Sequence, residues 1–260
     1  MNVRFVLAAV AASFAVPQAA QAASVAALVG DNMLSIVDSG AGKASPAMKI
    51  DGVSGKVLGI DVRPADGMLY AVTADGTVYT VDAKTGKATM KVKLESTLAD
   101  GVSATVDFNP VADKLRVMGS DGTSLRCDVD TGKVTKDGSH KYAEADTMKG
   151  TTPMVVAGAY TNSVKGTKET TLYNVDAAGA TLVKQAPPND GVLNTIGKLG
   201  IPVKTPAMDI ATDAASANTA YLMAGKTLYT VDVASGKATE VKNIEGIKGA
   251  VRDIAILPVS

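Results

Sequence analysis

Short runs of apolar and β-branched residues recur along almost the whole chain, and glycine punctuates them. Between residues 57 and 93 an apolar run over 57–62 meets Pro64-Ala-Asp-Gly67, and runs over 68–73, 77–81 and 87–92 follow, separated by Asp75-Gly76 and Thr85-Gly86. Runs of this length between Asp-Gly and Thr-Gly pairs predict antiparallel hairpins, because glycine supplies the positive φ that tight turns require. Four such strands form one blade of a β-propeller.

The unit repeats. Leu34-Ser-Ile-Val-Asp38, Val78-Tyr-Thr-Val-Asp82, Leu125-Arg-Cys-Asp128, Leu172-Tyr-Asn-Val-Asp176 and Leu228-Tyr-Thr-Val-Asp232 space their aspartates by 44, 46, 48 and 56 residues. A period in the forties built from short strands is a propeller period. Inner strands are expected at 57–62, 104–108, 154–160, 207–211 and 251–257, which gives five blades. The first unit, 24–30 with 33–38, lacks an inner strand, and 251–257 is an inner strand with nothing after it. The C-terminal strand is therefore expected to complete the N-terminal blade and close the ring, which removes an open sheet edge. A sixth blade from 183–206 is disfavoured by its four prolines. The unit that starts at 154 is expected to be shortened or distorted, because its repeat phrase follows the inner strand after only 12 residues, from Tyr160 to Leu172.

Residues 1–23 have a different pattern: Arg4, an apolar stretch over 5–16, Pro17, then small residues ending Ala20-Gln21-Ala22. This is the three-part secretory signal. Its apolar stretch is about a dozen residues, short of the roughly 20 that span a bilayer. Cleavage is expected near Ala22 or Ala23, leaving one propeller domain over 24–260 in the periplasm or outside the cell, with no membrane span.

Several phrases carry a resemblance. Gly59-Ile-Asp-Val-Arg-Pro64, Val106-Asp-Phe-Asn-Pro110 with Asp113-Lys-Leu-Arg-Val117, Ala159-Tyr-Thr-Asn162, Thr171-Leu-Tyr-Asn-Val-Asp176 and Pro187-Pro-Asn-Asp-Gly-Val-Leu-Asn-Thr-Ile-Gly197 resemble the exported bacterial domain of unknown function 4394. The resemblance covers nearly the whole chain after the signal. It implies an exported, propeller-like protein and brings no assigned activity or catalytic residue.

Composition narrows the chemistry. The chain of 260 residues has 26 basic and 26 acidic groups, so nothing in its charge points to nucleic acid. One His and one Cys cannot build a closed zinc site or a disulfide framework. Without Trp, and with seven Tyr and three Phe, aromatic stacking is disfavoured as the main binding mode. His140, near Glu144 and Asp146, is read as a solvated loop residue rather than a general base, and Cys127 as a small buried apolar residue in the place of Val81 and Val231.

Two constellations remain. Aligned inner strands put Asp61, Asp107, Asp209 and Asp253 at one position, with Gly158 in the fifth. Two carboxylates about 6 Å apart at an effective dielectric near 20 repel by roughly 3 kcal/mol, so the ring needs compensation. Backbone N–H bonds within each blade, a bound hard cation (calcium before magnesium, since all donors are oxygen), or pairing with Arg63, Arg116 or Arg252 would each supply it.

The second constellation is the long step between Asp176 and Asp232, which holds Ala186-Pro-Pro-Asn-Asp-Gly191 and Leu193-Asn-Thr-Ile-Gly197. Taken as a connection from an outer strand to the next inner strand, it places Asn189, Asp190, Asn194 and Thr195 on the face where propellers usually bind ligands, or else forms a rigid packed turn. Asn109 and Arg116 join Asn189, Asp190 and Asn194 as candidate binding residues. These features lead first to a non-catalytic exported propeller that binds a protein or small-molecule ligand and needs no cofactor beyond a possible calcium ion. The alternative is a calcium-assisted hydrolase of lactones or phosphoesters built on the four aspartates. A channel glutamate is missing for that role, since Glu95, Glu144, Glu169, Glu240 and Glu245 all fall outside the inner strands. A third reading is a structural module of the cell envelope.

Overall fold

The computed structural model describes residues 23–203 and 205–258. The expected signal segment, apart from Ala23, lies outside the described residues. Blade 1 holds β1 (Ser24–Val29), β2 (Met33–Asp38) and the short β3 (Lys43–Ala44) and β4 (Met48–Lys49). Blade 2 is β5 (Val57–Val62), β6 (Leu69–Thr73), β7 (Thr77–Val81) and β8 (Ala88–Lys93). Blade 3 is β9 (Ala104–Asn109), β10 (Lys114–Gly119), β11 (Ser124–Cys127) and β12 (Val134–Lys136). After the short β13 (Lys141–Tyr142) comes blade 4, with β14 (Val155–Tyr160), β15 (Leu172–Asp176), β16 (Thr181–Gln185) and β17 (Val192–Lys198). Blade 5 is β18 (Pro206–Thr212), β19 (Asn218–Ala224), β20 (Thr227–Val231) and β21 (Ala238–Asn243), and β22 (Val251–Ile256) returns to blade 1.

The protein is an all-β, five-bladed propeller. β22 lies beside β1 as the inner strand of blade 1, pairing Ala26 with Ala255 and Leu28 with Asp253, so the last strand closes the ring as expected. The inner strands meet in the order β22, β5, β9, β14, β18 and back to β22. The core is a set of apolar layers between neighbouring blades: Phe108, Tyr70 and Leu115 between blades 2 and 3, and Tyr221, Leu228 and Ile254 between blades 5 and 1. Tyr70 and Phe108 meet edge to face, with centroids 5.2 Å apart. The layer between blades 3 and 4 is the smallest, with seven buried residues including Met118, Tyr160 and Leu193.

Blade 4 corrects two expectations. It is complete, with four antiparallel strands, and β13 adds to its outer edge in parallel. The phrase ending in Asp176 lies on the second strand here, whereas the other four copies lie on the third. That slip in phase made the blade look short and the next step look long. Residues 186–191 are consequently the hairpin between the third and fourth strands, and Val192–Lys198 is the outer strand itself. The true connection to blade 5 is 199–205.

Each blade offers its third-to-fourth-strand turn to the blade before it. Gly86, Gly132 and Gly236 at these turns have φ of 73°, 82° and 81°. The Gly86 and Gly132 carbonyls accept the N–H groups of Asp51 and Glu95, both at 2.9 Å, and Leu199 accepts from Ala238 at 3.0 Å. The turn aspartates fold the local chain, as where Asp82 accepts from Lys84 N–H at 2.8 Å. In blade 4 the six-residue loop plays the same role, with Gly138 donating to the Asn189 carbonyl at 2.9 Å and Lys141 to that of Gly191 at 3.0 Å.

Candidate functional site

The axis of the ring is lined by carboxylates. Asp61, Asp107, Asp209 and Asp253 are all buried, and single carboxylate oxygens of Asp61, Asp107 and Asp209 lie within 4.8 Å of one another. Each carboxylate reaches across a blade boundary to a backbone N–H of the next inner strand. Asp253 accepts from Ile60 at 2.9 Å, Asp61 from Phe108 at 2.6 Å, Asp107 from Tyr160 at 3.0 Å and Asp209 from Ile256 at 2.5 Å. Asp61, Asp209 and Asp253 also accept the N–H of the residue that follows them, at 2.7, 2.6 and 3.1 Å. Backbone bonding thus offsets part of the repulsion, as one sequence reading expected, but it runs between blades as well as within them. Gly59 makes room for it, since a Cβ there would stand 2.5 Å from an Asp253 oxygen.

Among the described residues the arginines form no ion pair with the ring, and only the charge of Arg252 adds a minor attraction that lowers Asp253. Arg63 forms a bidentate pair with Asp113, at 2.8 and 2.6 Å, and reaches Asp130 at 2.7 Å. Arg252 donates to the Val57 and Gly30 carbonyls, at 2.7 and 3.1 Å. Burial is the main cause that lifts all four acids, to about 6 for Asp209 and well above the usual carboxylate range for the other three. Mutual repulsion adds to it: the Asp209 charge raises Asp61, and the Asp61 charge raises Asp107. Four buried carboxyl groups, three of them with oxygens within 4.8 Å of one another, are chemically suited to a hard, oxygen-loving metal ion.

The profile of one family, the domain of unknown function DUF4394, matches residues 33–255. The chain belongs to the DUF4394 family. No curated protein gives a significant sequence match. Among solved structures, this DUF4394 chain is similar to a structural-genomics protein of unknown function from Bacteroides thetaiotaomicron VPI-5482, with a TM-score of 0.52 and 17% identity. That match covers 91% of this chain and 65% of the other, and it speaks for the fold alone. A protein of unknown function from Bacteroides caccae matches at a TM-score of 0.45 and 12% identity, over 88% of this chain and 76% of its own.

The candidate binding residues of the DUF4394 chain make contacts within the fold. Arg116, fully buried on β10 opposite Asp107, donates to the Tyr160 hydroxyl at 2.6 Å, Ser124 at 2.7 Å, Asp137 at 3.0 Å and the Asn189 side chain at 2.8 Å. Asp137 also holds Arg126 at 2.7 Å. This polar network fills the boundary between blades 3 and 4, where the apolar layer is thinnest. Asn109 folds its own turn by accepting from Val111 and Ala112, both at 2.9 Å. Asn194 donates to the Ala186 carbonyl at 3.2 Å, and the Thr195 hydroxyl binds Asp146 at 2.9 Å. Asp190 is exposed in the short 3-10 turn Pro188–Asp190. The loop is seated on blade 3 through its backbone, with Asn189 and Asp190 exposed.

Two single residues are settled as well. His140 is buried rather than solvated, both of its ring nitrogens lack a partner among the described residues, and burial pushes it down to about 4. Cys127 is buried in the layer between blades 2 and 3, as expected, and burial pushes its thiol up to about 12. Sequence reasoning missed Asn174. Its side chain lies over Gly158, the one position in the ring without a carboxylate, and the signal was that glycine itself.

Proposed function

We propose that this protein is an exported, non-catalytic propeller whose axial channel binds a hard cation, calcium ahead of magnesium. The observation that carries the reading is the close approach of the Asp61, Asp107 and Asp209 oxygens, within 4.8 Å of one another and buried, with no arginine or lysine paired to them among the described residues. A doubly charged ion at that point would replace carboxylate repulsion with attraction at every blade that carries an aspartate. Binding would then tighten the ring itself, so the cation acts as a keystone for a scaffold that presents its outer faces to a partner. Export is supported by the three-part pattern of residues 1–23.

The test is unfolding of the chain from residue 24 onward, in EDTA and in millimolar calcium, magnesium or manganese. A ligand that binds only the folded state, present at about 100 times its Kd, adds roughly 2.7 kcal/mol, a shift of several degrees. Asp107→Asn is the matched variant. Among the described residues only one Asp107 oxygen takes a hydrogen bond, from Tyr160 N–H, so an amide can keep that bond while removing the charge. A calcium-dependent rise in Tm that vanishes in this variant supports the proposal, and an identical Tm with every ion and with EDTA overturns it. Mass measurement of the periplasmic form, expected to begin at Ala23 or Ser24, tests the export half separately.

A further inference from the structure

Four blades of the ring present a carboxylate to the axis, and blade 4 presents Gly158. We infer that Asn174 fills this gap with a neutral oxygen donor, so the axial cation is held by carboxylates on one side and an amide carbonyl on the other. The inference rests on the reading of the axis as a cation site.

Asn174 on β15 is the cross-strand partner of Gly158, as Arg116 is of Asp107 and Tyr221 of Asp209. Its Oδ1 lies where the Cβ of a larger residue at 158 would stand, so this oxygen takes the side-chain place that the aspartates take on the other inner strands. Asn174 is 0% exposed, yet Oδ1 has no hydrogen-bond partner among the described residues. A buried amide oxygen with no donor is costly unless a ligand supplies one. Thr105, two residues before Asp107 and so on the same face of β9, has a second buried and unpartnered oxygen.

Which end of the amide faces Gly158 is fixed from outside. The Pro188 carbonyl can only accept, and it takes a bond from Gln185 Nε2 at 2.6 Å. Gln185 must then present Oε1 inward, where it accepts from Asn174 Nδ2 at 2.7 Å. Asn174 is left with Oδ1 toward Gly158 on the inner strand. The 186–191 loop, which from sequence looked like a binding surface, orients a donor in the channel through one intervening side chain.

Calcium titration by calorimetry at pH 8 tests this on the chain from residue 24, with Asn174→Leu, Asn174→Asp and Gln185→Leu. Asn174→Leu is expected to weaken calcium binding at least about tenfold. Gln185→Leu frees the amide to turn and is expected to weaken it a few-fold, although Gln185 itself does not face the axis. Asn174→Asp supplies a fifth carboxylate and is expected to tighten binding; it also serves if the leucine variant does not fold. Wild-type protein that binds calcium while all folded variants match it would overturn the role of Asn174 and leave the cation site standing. Wild-type protein that binds no cation would overturn both.

Discussion

Asp253, on the last strand, accepts the backbone N–H of Ile60 at 2.9 Å across 193 residues of sequence. This bond, with its counterparts from Asp61, Asp107 and Asp209, turns a row of repelling charges into the joints between inner strands. Replacing Asp253 by Ala leaves the N–H groups of Ile60 and Ile254 without their acceptor, at about 1–3 kcal/mol each. The same change removes a buried charge, so the two effects oppose each other above the acid's folded pKa. Burial raises that pKa well above the ordinary value of 3.8. A raised acid contributes its full stability below the unfolded value and loses it as pH rises through the folded value. Asp253→Ala should therefore destabilise the metal-free protein more at pH 4.5 than at pH 7.5, and equal losses in denaturant unfolding at the two pH values would contradict this account.

The turn glycines are predicted to be intolerant in proportion to what stands behind them. Gly132 has φ of 82°, and a Cβ there would run into the Lys93 carbonyl of blade 2. Gly200 has φ of 75° with nothing within 4 Å of the added atom. Gly200→Ala should cost only the left-handed backbone, about 1 kcal/mol. Gly132→Ala must also push blade 2 away from blade 3, and should cost at least twice as much in urea unfolding.

Arg116 is predicted to be a residue of stability. Arg116→Met leaves Asp137, 4% exposed in its side chain, with Arg126 as its remaining cation and strips a donor from Tyr160 and Asn189. Breaking a buried pair from one side costs about 3–5 kcal/mol. The measured denaturation midpoint should fall accordingly, and a shift below about 1 kcal/mol would show that the network between blades 3 and 4 does not hold them together.

His140 gives a pH effect of opposite sense to the carboxylates. Burial depresses it from 6.5 to about 4, so the folded chain holds it neutral. A depressed base contributes its full stability above the unfolded value and loses it as pH falls toward the folded one. At pH 5 the loss is roughly 2 kcal/mol, from about 1.36 kcal/mol per unit of pH below 6.5. His140→Leu should remove that loss, so the stability difference between variant and wild type should shift in the variant's favour between pH 7 and pH 5.

Periodicity made the ring legible in sequence. Asp-Gly and Thr-Gly turns, the missing inner strand at the start and the spare one at the end together specify five closed blades. The aspartate position was legible too, because the inner strands share an apolar frame. What they bond was not, since Ile60, Phe108, Tyr160 and Ile256 offer backbone N–H groups that carry no sequence signature. Blade 4 misled the reading for a physical reason: a strand phrase such as Leu-Tyr-Asn-Val-Asp encodes alternation and an end, and it fits a second strand as well as a third. Asn174 was hidden by that same slip, for its partnership with Gly158 exists only once β15 is known to lie beside β14.

The joint between blades also has a direction. Every blade lends its outer hairpin backwards, and four of the five joints meet a strand end or short connection through one glycine turn. Such a joint is interchangeable: an internal blade cut between its inner strand and its successor carries both a plug and a socket, so units of this type can be duplicated or exchanged without new contacts being invented. Blade 4 has lost that freedom. Its long Pro-Pro-Asn-Asp-Gly hairpin fits only a predecessor with Gly138 and Arg116 in place, which makes blades 3 and 4 a pair that any rearrangement of the ring must inherit together.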